Sequence, residues 1–120
     1  MRLLFHTLTV TVIACFLSKT VSAQDPVKLA PDKYKVILNN DRVRVVDARL
    51  KPGDKTPMHS HPTYLLYSFT NSSVKFTSKD GKTTNAKIRA GECMWKKAET
   101  HAVENTGKND VHVLQVEFKR

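Results

Sequence analysis

Cysteine and long apolar runs are both scarce in this 120-residue chain. Its two cysteines are Cys15 and Cys93. The apolar stretch over residues 3–17 is shorter than the about 20 residues that a membrane-spanning helix needs, and Lys19 closely follows it. Acidic residues are also few, with 11 against 20 basic ones. These scarcities exclude a disulfide-rich scaffold and disfavour a helical membrane span.

The N-terminal segment has the composition of a bacterial secretory signal. Arg2 precedes the apolar stretch, and Val21-Ser22-Ala23 fits the small-residue rule for cleavage before Gln24. We therefore expect an exported protein, periplasmic or secreted, with no stable membrane insertion after cleavage. The expected division of the chain is a signal peptide (1–23), an N-terminal arm (24–32) and a single domain (33–120).

Lipidation is an alternative for this segment, because Val12-Ile13-Ala14-Cys15 resembles a lipobox. Apolar residues continue past Cys15 and a good cleavage site follows, which favours the signal peptide; an uncleaved anchor is the third reading. After cleavage before Gln24, Cys93 is alone and no intrachain disulfide can form. We expect Cys93 to be a small buried side chain, with a thiol near a functional site as the alternative.

The basic excess gives the whole chain a formal net charge of +9. Loss of the signal would remove two basic residues and no acidic one, leaving about +7. The lysines and arginines are spread along the chain, and no nucleic-acid motif or interleaved aromatic platform accompanies them. We therefore expect no nucleic-acid partner. The charge supports only weak attraction to anionic ligands or surfaces.

Beyond the signal, short β-type runs alternate with turn signals roughly every eight to twelve residues, which is typical of an all-β sandwich or barrel. Asp80-Gly81 is the strongest hairpin signal. No segment after the signal has a convincing helical period. The runs that we predict as strands are 34–38, 42–50, 63–69, 74–77, 85–89, 93–97 and 111–118.

A histidine pair, His59 and His61, follows the Pro52-Gly53 turn. On a strand, residues i and i+2 point to the same face, so the two imidazoles can aim at one point. His101 comes about 40 residues later, a separation that an antiparallel barrel can close. Three imidazoles with open coordination positions would suit a transition metal. The alternative is a His-x-His surface decoration.

The arrangement of these residues resembles the cupin superfamily, and specifically its small single-domain members. The first cupin motif is glycine, five residues and His-x-His, which Gly53, His59 and His61 match. The second opens with a glycine and ends in histidine, three residues and asparagine, which Gly91, His101 and Asn105 match. The resemblance covers about residues 34–119. It implies an all-β double-stranded β-helix, or jelly-roll barrel.

The resemblance also implies ligands. Cupins commonly bind divalent Mn, Fe, Ni, Cu or Zn through three histidines and a glutamate, which carries over here to His59, His61 and His101. The glutamate is expected at residues 64–66, where this chain has Tyr64, Leu65 and Leu66. The fourth position would then be open to water, substrate, Tyr64 or His112.

Two other departures from the motifs affect turns. Asn71 stands near the closing glycine of the first motif, and we expect it to adopt the left-handed conformation. The stretch from Gly91 to His101 is one residue shorter than the family spacing.

Several further residues carry expectations about their surroundings. We expect Tyr64, Tyr67 and Trp95 to pack in the core, with pocket walls as the alternative. Arg44 is expected on a solvated strand face, the alternative being an inward anchor for an anionic ligand. His112 shares a strand face with Leu114, Val116 and Phe118 that we expect to point inward. Glu104 is expected to point away from the barrel, and Glu92 to be solvated.

Three functions fit these residues. The first is a mononuclear metalloenzyme, dioxygenase-like or isomerase-like, acting on a small molecule. The second is a non-catalytic periplasmic module that binds a small ligand and has a partly degenerate metal site. The third is a structural domain with a relic site. No nucleophile–base pair or paired acids stand out as catalytic, and the resemblance suggests a homodimer through edge strands, with the arm at 24–32 taking part.

Overall fold

The computed structural model of the protein describes residues 24–120. The predicted signal peptide, its cleavage site and the Cys15 lipobox fall on residues 1–23 and lie outside the described part. Over residues 24–120, no helix has the length and apolar character needed to cross a membrane.

Alternating strands build two antiparallel sheets from the described residues. The five-stranded sheet has the order β1-β2-β9-β4-β7 and the four-stranded sheet the order β3-β8-β5-β6. The predicted all-β class is confirmed. The elements are α1 (Pro26–Leu29), β1 (Tyr34–Asn39), β2 (Val43–Leu50), β3 (His59–His61), β4 (Tyr64–Ser68), β5 (Ser72–Ser78), β6 (Thr83–Ile88), β7 (Cys93–Lys96), β8 (Glu99–Asn105) and β9 (Val111–Phe118).

Three elements are absent from the predicted runs: β3, β8 and α1. Strand β8 presents His101, Val103 and Asn105 in alternation, and its polar residues interrupt the apolar period that identifies a strand. Helix α1 is a single turn, too short for a helical period to show. Asp25 accepts a hydrogen bond from the Val27 amide and caps this turn. The helix packs against β1 and β3, so the N-terminal arm lies on the barrel.

The apolar core lies between the two sheets. Strand β9 contributes Val111 and Val113, each 4% exposed, and then Gln115 and Glu117 on the same face. The remaining members of the buried apolar cluster come from the arm and from strands β1, β2, β4, β5 and β6: Ala30, Tyr34, Val46, Ala48, Leu50, Tyr64, Leu66, Val74 and Ile88.

His112 therefore points outward, and the expectation that its face is inward was wrong. Its Nε2 lies 2.8 Å from an Asp47 carboxylate oxygen, and its ring packs on Phe69 with 4.5 Å between centroids. The even-numbered face of β9 is the more apolar of the two, so alternation alone predicts the wrong buried face. The odd-numbered set fills the core, and His112 is removed from any fourth-ligand position.

The asparagine of the second motif, Asn105, holds two turns together. It is 1% exposed, and its amide nitrogen donates to the carbonyls of Leu50 and Asn109 at 3.0 and 2.8 Å. Its backbone carbonyl accepts from the amide of Gly53. Gly53 has a φ of +84°, in the left-handed region that glycine enters at little cost. The motif residues thus join the turn before the histidine pair to the end of β8.

The turn at Asn71 forms without the left-handed conformation expected for it. Within residues 24–120, positive φ values occur only at glycines. The Asn71 side-chain oxygen accepts from the amide of Ala90, and its backbone carbonyl accepts from the Asn109 side chain. These bonds stabilise the turn with Asn71 in ordinary backbone geometry.

The outer face of the five-stranded sheet carries aromatic side chains that we expected in the core. Trp95 is 64% exposed and packs on Phe118 at 5.2 Å between centroids, so its predicted core position was wrong. Tyr67 is 38% exposed, whereas Tyr64 is buried as predicted. Cys93 is exposed rather than buried, because it shares with Trp95 the outward face of β7.

Candidate metal centre

The three predicted histidines meet in the barrel interior. His59 and His61 occupy alternate positions of β3 and point to one face, as predicted. Strand β8 pairs with β3 so that His59 lies directly opposite His101. The three residues are buried, with 1%, 3% and 7% of their surface exposed. The surface-decoration alternative is therefore wrong for this pair.

The three imidazoles are mutually close. The ring of His59 lies 4.7 Å from that of His61 and 4.9 Å from that of His101, and the last two are 5.2 Å apart, measured between centroids. One ligand nitrogen from each residue lies within 4.8 Å of the other two. The arrangement is compatible with binding of a metal ion.

Hydrogen bonds on the far side of two rings set their tautomers. His59 Nδ1 lies 2.8 Å from the Pro57 carbonyl oxygen, and His61 Nδ1 lies 3.3 Å from a Glu117 carboxylate oxygen. Both oxygens can only accept, so each Nδ1 carries the hydrogen and each Nε2 keeps its lone pair. Both Nε2 atoms are buried and have no hydrogen-bond partner in the described part of the chain. Metal-binding histidines are held in the same way, which shows that these residues fit a metal.

The third ring also lies beside a carboxylate. His101 Nδ1 lies 3.2 Å from Glu99, and Tyr64 donates its hydroxyl hydrogen to the same carboxylate at 2.6 Å. Burial, together with Glu99, holds the pKa of Tyr64 well above its ordinary value, so the phenol is protonated. Tyr64 therefore orients Glu99 and does not supply a phenolate.

Burial also keeps two of the imidazoles neutral. It lowers the pKa of His59 to about 4 and that of His101 to about 3, because the charged form loses its hydration in the interior. A metal ion binds only unprotonated imidazole. Both side chains are therefore in the metal-binding form at neutral pH without displacing a proton.

A carboxylate missing from the first motif is present on the neighbouring strand. Glu117 of β9 pairs directly with Tyr64 of β4, so it faces the interior beside the position expected for the motif glutamate. Burial raises the pKa of Glu117, but hydrogen bonds from His61 and Arg44 outweigh it and hold the pKa below its ordinary value. The ionised Glu117 orients His61 from the side opposite Nε2.

Arg44 points inward, and the expectation of a solvated strand face was wrong. Its guanidinium donates to Glu117 at 2.7 Å and to both carboxylate oxygens of Asp25 at 2.7 and 3.0 Å. The alternative of an anchor for an anionic ligand also loses its basis, since two carboxylates already neutralise this charge. Asp25 belongs to the N-terminal arm, so the Arg44 pairs connect the arm to the carboxylate that orients His61.

We expect Arg44→Met to lower the free energy of unfolding by about 3 kcal/mol, because it leaves the buried Glu117 and the partly buried Asp25 without their counter-charge. Arg49→Met is the matched control on the same strand, since Arg49 is 67% exposed at its side chain and should cost less than about 1 kcal/mol. Urea denaturation of both variants measures the difference. Equal midpoints would contradict the assigned role of Arg44.

Three spaces adjoin the histidines. A surface cleft of about 820 Å³ is lined by His61 and Glu99. A second surface cleft of about 580 Å³ reaches His61 and is bordered by Arg44, Glu117 and Lys119. A closed cavity of about 30 Å³ lies deeper, between His101 and Gln115, with apolar walls from both sheets. The deeper space has room for about one water molecule.

Sequence reasoning identified the three histidines and missed the groups that hold them. Glu99 lies two residues before His101, whereas Glu117 is far along the chain from His61, the ring that it contacts. Neither glutamate belongs to a motif. Their only sequence signal is strand alternation, which places Glu99 on the same face as His101 and Glu117 on the same face as Val113. Glu104 points outward as expected, towards Lys55 and Lys75.

Comparisons with known proteins connect the chain to others through its fold. No protein-family model matches the sequence, and no curated protein matches it. Similar solved structures include a cupin domain from Bordetella pertussis, with 22% identity, a TM-score of 0.67 and coverage of 72% of this chain and 92% of that one.

Two further structures extend the likeness. An RmlC-like cupin protein with a double-stranded β-helix from Methanocaldococcus jannaschii has 17% identity, a TM-score of 0.56 and coverage of 71% and 77% of the two chains. A polyketide cyclase, RemF from Streptomyces resistomycificus, has 20% identity, a TM-score of 0.53 and coverage of 71% and 63%. The three likenesses, each under 25% identical, show a shared fold.

Proposed function

We propose that this chain, a single domain with the cupin double-stranded β-helix fold, binds one divalent transition metal ion through His59, His61 and His101. Imidazole ligands suit Zn, Cu, Fe and Ni, and Mn is a further candidate within the fold. The observation that carries the proposal is the pair of buried Nε2 atoms, on His59 and His61, that have no hydrogen-bond partner among residues 24–120. Leaving such atoms unpaired costs about 1–3 kcal/mol each, and a bound metal removes that cost.

Metal analysis of the natively purified protein tests this proposal. We expect about one equivalent of a transition metal per chain, or uptake of one equivalent when the chelator-treated protein is reconstituted with each candidate metal in turn. Mass spectrometry under non-denaturing conditions gives the stoichiometry. Less than a tenth of an equivalent of every metal after reconstitution would contradict the proposal.

The proposed activity is that of a mononuclear metalloenzyme acting on a small molecule, with dioxygenase-like and isomerase-like reactions as the two classes expected from the fold. A metal held by three neutral imidazoles would supply Lewis acidity at its open coordination positions. The residues of this chain bring one ligand nitrogen of each histidine within 4.8 Å of the other two and bury all three residues. The two surface clefts at His61 support entry of a small ligand from the surface.

A non-catalytic module that binds an ion or a molecule about the size of water is the second candidate, because the inner cavity is too small for an organic substrate. With about 30 Å³ next to His101, the interior holds roughly one water and no organic substrate. Titration of the Co²⁺-loaded protein with azide separates the two candidates. A change in the visible spectrum at millimolar azide supports an open, reactive position, and an unchanged spectrum supports a closed binding site.

Export is a further part of this proposal and rests on residues 1–23 alone. Intact-mass measurement on the exported protein distinguishes loss of 23 residues from lipidation at Cys15 and from retention of the whole segment.

A further inference from the structure

The oxygen ligand that the first motif lacks has a candidate on the neighbouring strand. Within residues 64–66, the two side chains that face the interior are Tyr64 and Leu66. Strand β9 pairs with β4 so that Tyr64 lies opposite Glu117 and Leu66 lies opposite Gln115. Side chains of directly opposed residues stand about 4.5–5.5 Å apart at Cβ, so Gln115 occupies nearly the same part of the interior as a motif glutamate at position 66.

Gln115 is buried without being paired. It is 6% exposed, and its side-chain oxygen has no hydrogen-bond partner in the described part of the chain. The side chain lines the same closed cavity as His101, together with Tyr34 and Tyr64. An amide oxygen buried among apolar walls destabilises the fold unless something binds it.

The unpaired atoms in this interior belong together chemically. Two of the four buried side-chain atoms without a partner are the Nε2 atoms of His59 and His61, and a third is the amide oxygen of Gln115. All three are lone-pair donors, so no two of them can satisfy one another by a hydrogen bond. A cation within reach of all three would satisfy them at once, and carbonyl oxygen is an accepted metal ligand beside imidazole.

We propose that the side-chain oxygen of Gln115 is the fourth protein ligand of the metal, replacing the absent glutamate by a neutral donor. The inference rests on the proposed metal binding at the three histidines. Four neutral ligands leave the full 2+ charge on the ion, whereas a glutamate would reduce it by one. The site then favours anionic or strongly polarisable small molecules at its remaining positions, and it polarises them more strongly than a site with a carboxylate.

The test compares Gln115→Leu, which removes the oxygen, with Gln115→Glu, which adds a charged one. Ser72→Ala is the matched control, since Ser72 carries the remaining buried unpaired oxygen but lies in β5 opposite Ile88. Metal affinity is measured by competition with a chelator, and coordination by the visible spectrum of the Co²⁺-loaded protein. Thermal unfolding of the metal-free form is recorded for each variant.

We expect Gln115→Leu to weaken Co²⁺ binding by about tenfold or more, to change the d–d spectrum, and to raise the unfolding temperature of the metal-free form because the unpaired oxygen is gone. Gln115→Glu should bind the metal more tightly than the wild type, and Ser72→Ala should match it in affinity and spectrum. If Gln115→Leu does not fold, the Glu variant alone decides the question.

The outcomes separate the two proposals. A wild-type protein that binds no metal overturns the proposed function and this inference with it. A wild-type protein that binds one equivalent, with affinity and spectrum unchanged in both Gln115 variants, overturns the inference and leaves the three-histidine site intact.

Discussion

Replacement of His59 by alanine is expected to abolish stoichiometric metal binding. Metal sites with four protein ligands bind zinc with a free energy of about 10–16 kcal/mol, or roughly 3 kcal/mol for each ligand. Removing one ligand should therefore weaken binding more than about 100-fold. His61→Ala and His101→Ala should behave alike, because the three nitrogens converge within 4.8 Å and none of the rings is better exposed to a substitute ligand. Metal content after gel filtration and the dissociation constant from chelator competition measure the effect.

His112→Ala is the matched control for these variants. His112 is also an imidazole paired with a carboxylate, but it lies on the outer face of β9. Its removal should leave one equivalent of metal bound with the wild-type affinity. Loss of metal from His112→Ala, or retention of wild-type affinity by His59→Ala, would show that the metal is bound elsewhere.

Acid should destabilise the metal-free protein strongly at pH values above the range where its carboxylates titrate. His59 and His101 have folded-state pKa values of about 4 and 3, below the unfolded value of 6.5. Between these values the unfolded chain binds protons that the folded chain does not, so folding is weakened as pH falls. The stabilisation is complete above pH 6.5 and is lost as the pH falls towards 4 and then 3.

The free energy of unfolding should fall by up to about 1.4 kcal/mol per pH unit for each histidine. For the pair, the loss between pH 6.5 and pH 5 is on the order of 4 kcal/mol. That is a large part of the stability of a small domain. Urea denaturation in the presence of chelator, between pH 7 and pH 5, measures the slope. The variant His101→Leu should reduce it by about half, and a wild-type stability that does not change over this interval would contradict neutral burial of the two rings.

The histidine site could be predicted because the sequence spacing of the histidines determines which way their side chains point. Alternation on a strand places His59 and His61 on one face whatever the rest of the fold does. The turn glycines Gly53 and Gly91 then define where two strands begin, and both have the positive φ that such turns need. His101 follows the second of these turns, and antiparallel pairing sets it opposite His59.

What surrounds the site could not be predicted, because it depends on which face of a two-sided strand is buried. In β9, the even-numbered residues are the more apolar set, with Leu114, Val116 and Phe118. The odd-numbered set, which ends in Gln115 and Glu117, is nevertheless the buried one. The choice decides at once that Glu117 and Gln115 face the histidines. A similar difficulty exists in β7. The apolar character of Trp95 suggests a core position, but strand alternation places its side chain on the outer face.

Arg44 shows a second limit of local pattern. An arginine among valines is usually solvated, because an isolated buried charge is too costly. Here its two partners come from opposite ends of the described chain, Asp25 from the arm and Glu117 from the last strand. Only the assembled barrel brings these charges together, so the inward orientation follows from tertiary contacts.

Strand β3, on which the pair His59 and His61 lies, is three residues long and sits at the edge of its sheet with β8 as its partner. Its amide at Ser60 is covered by the Gln24 carbonyl of the arm. So short an edge strand opens readily by local unfolding. A metal bound to both β3 and β8 would act as a cross-link closing a loop of about 40 residues, so that hydrogen exchange in β3 becomes as slow as global unfolding of the barrel.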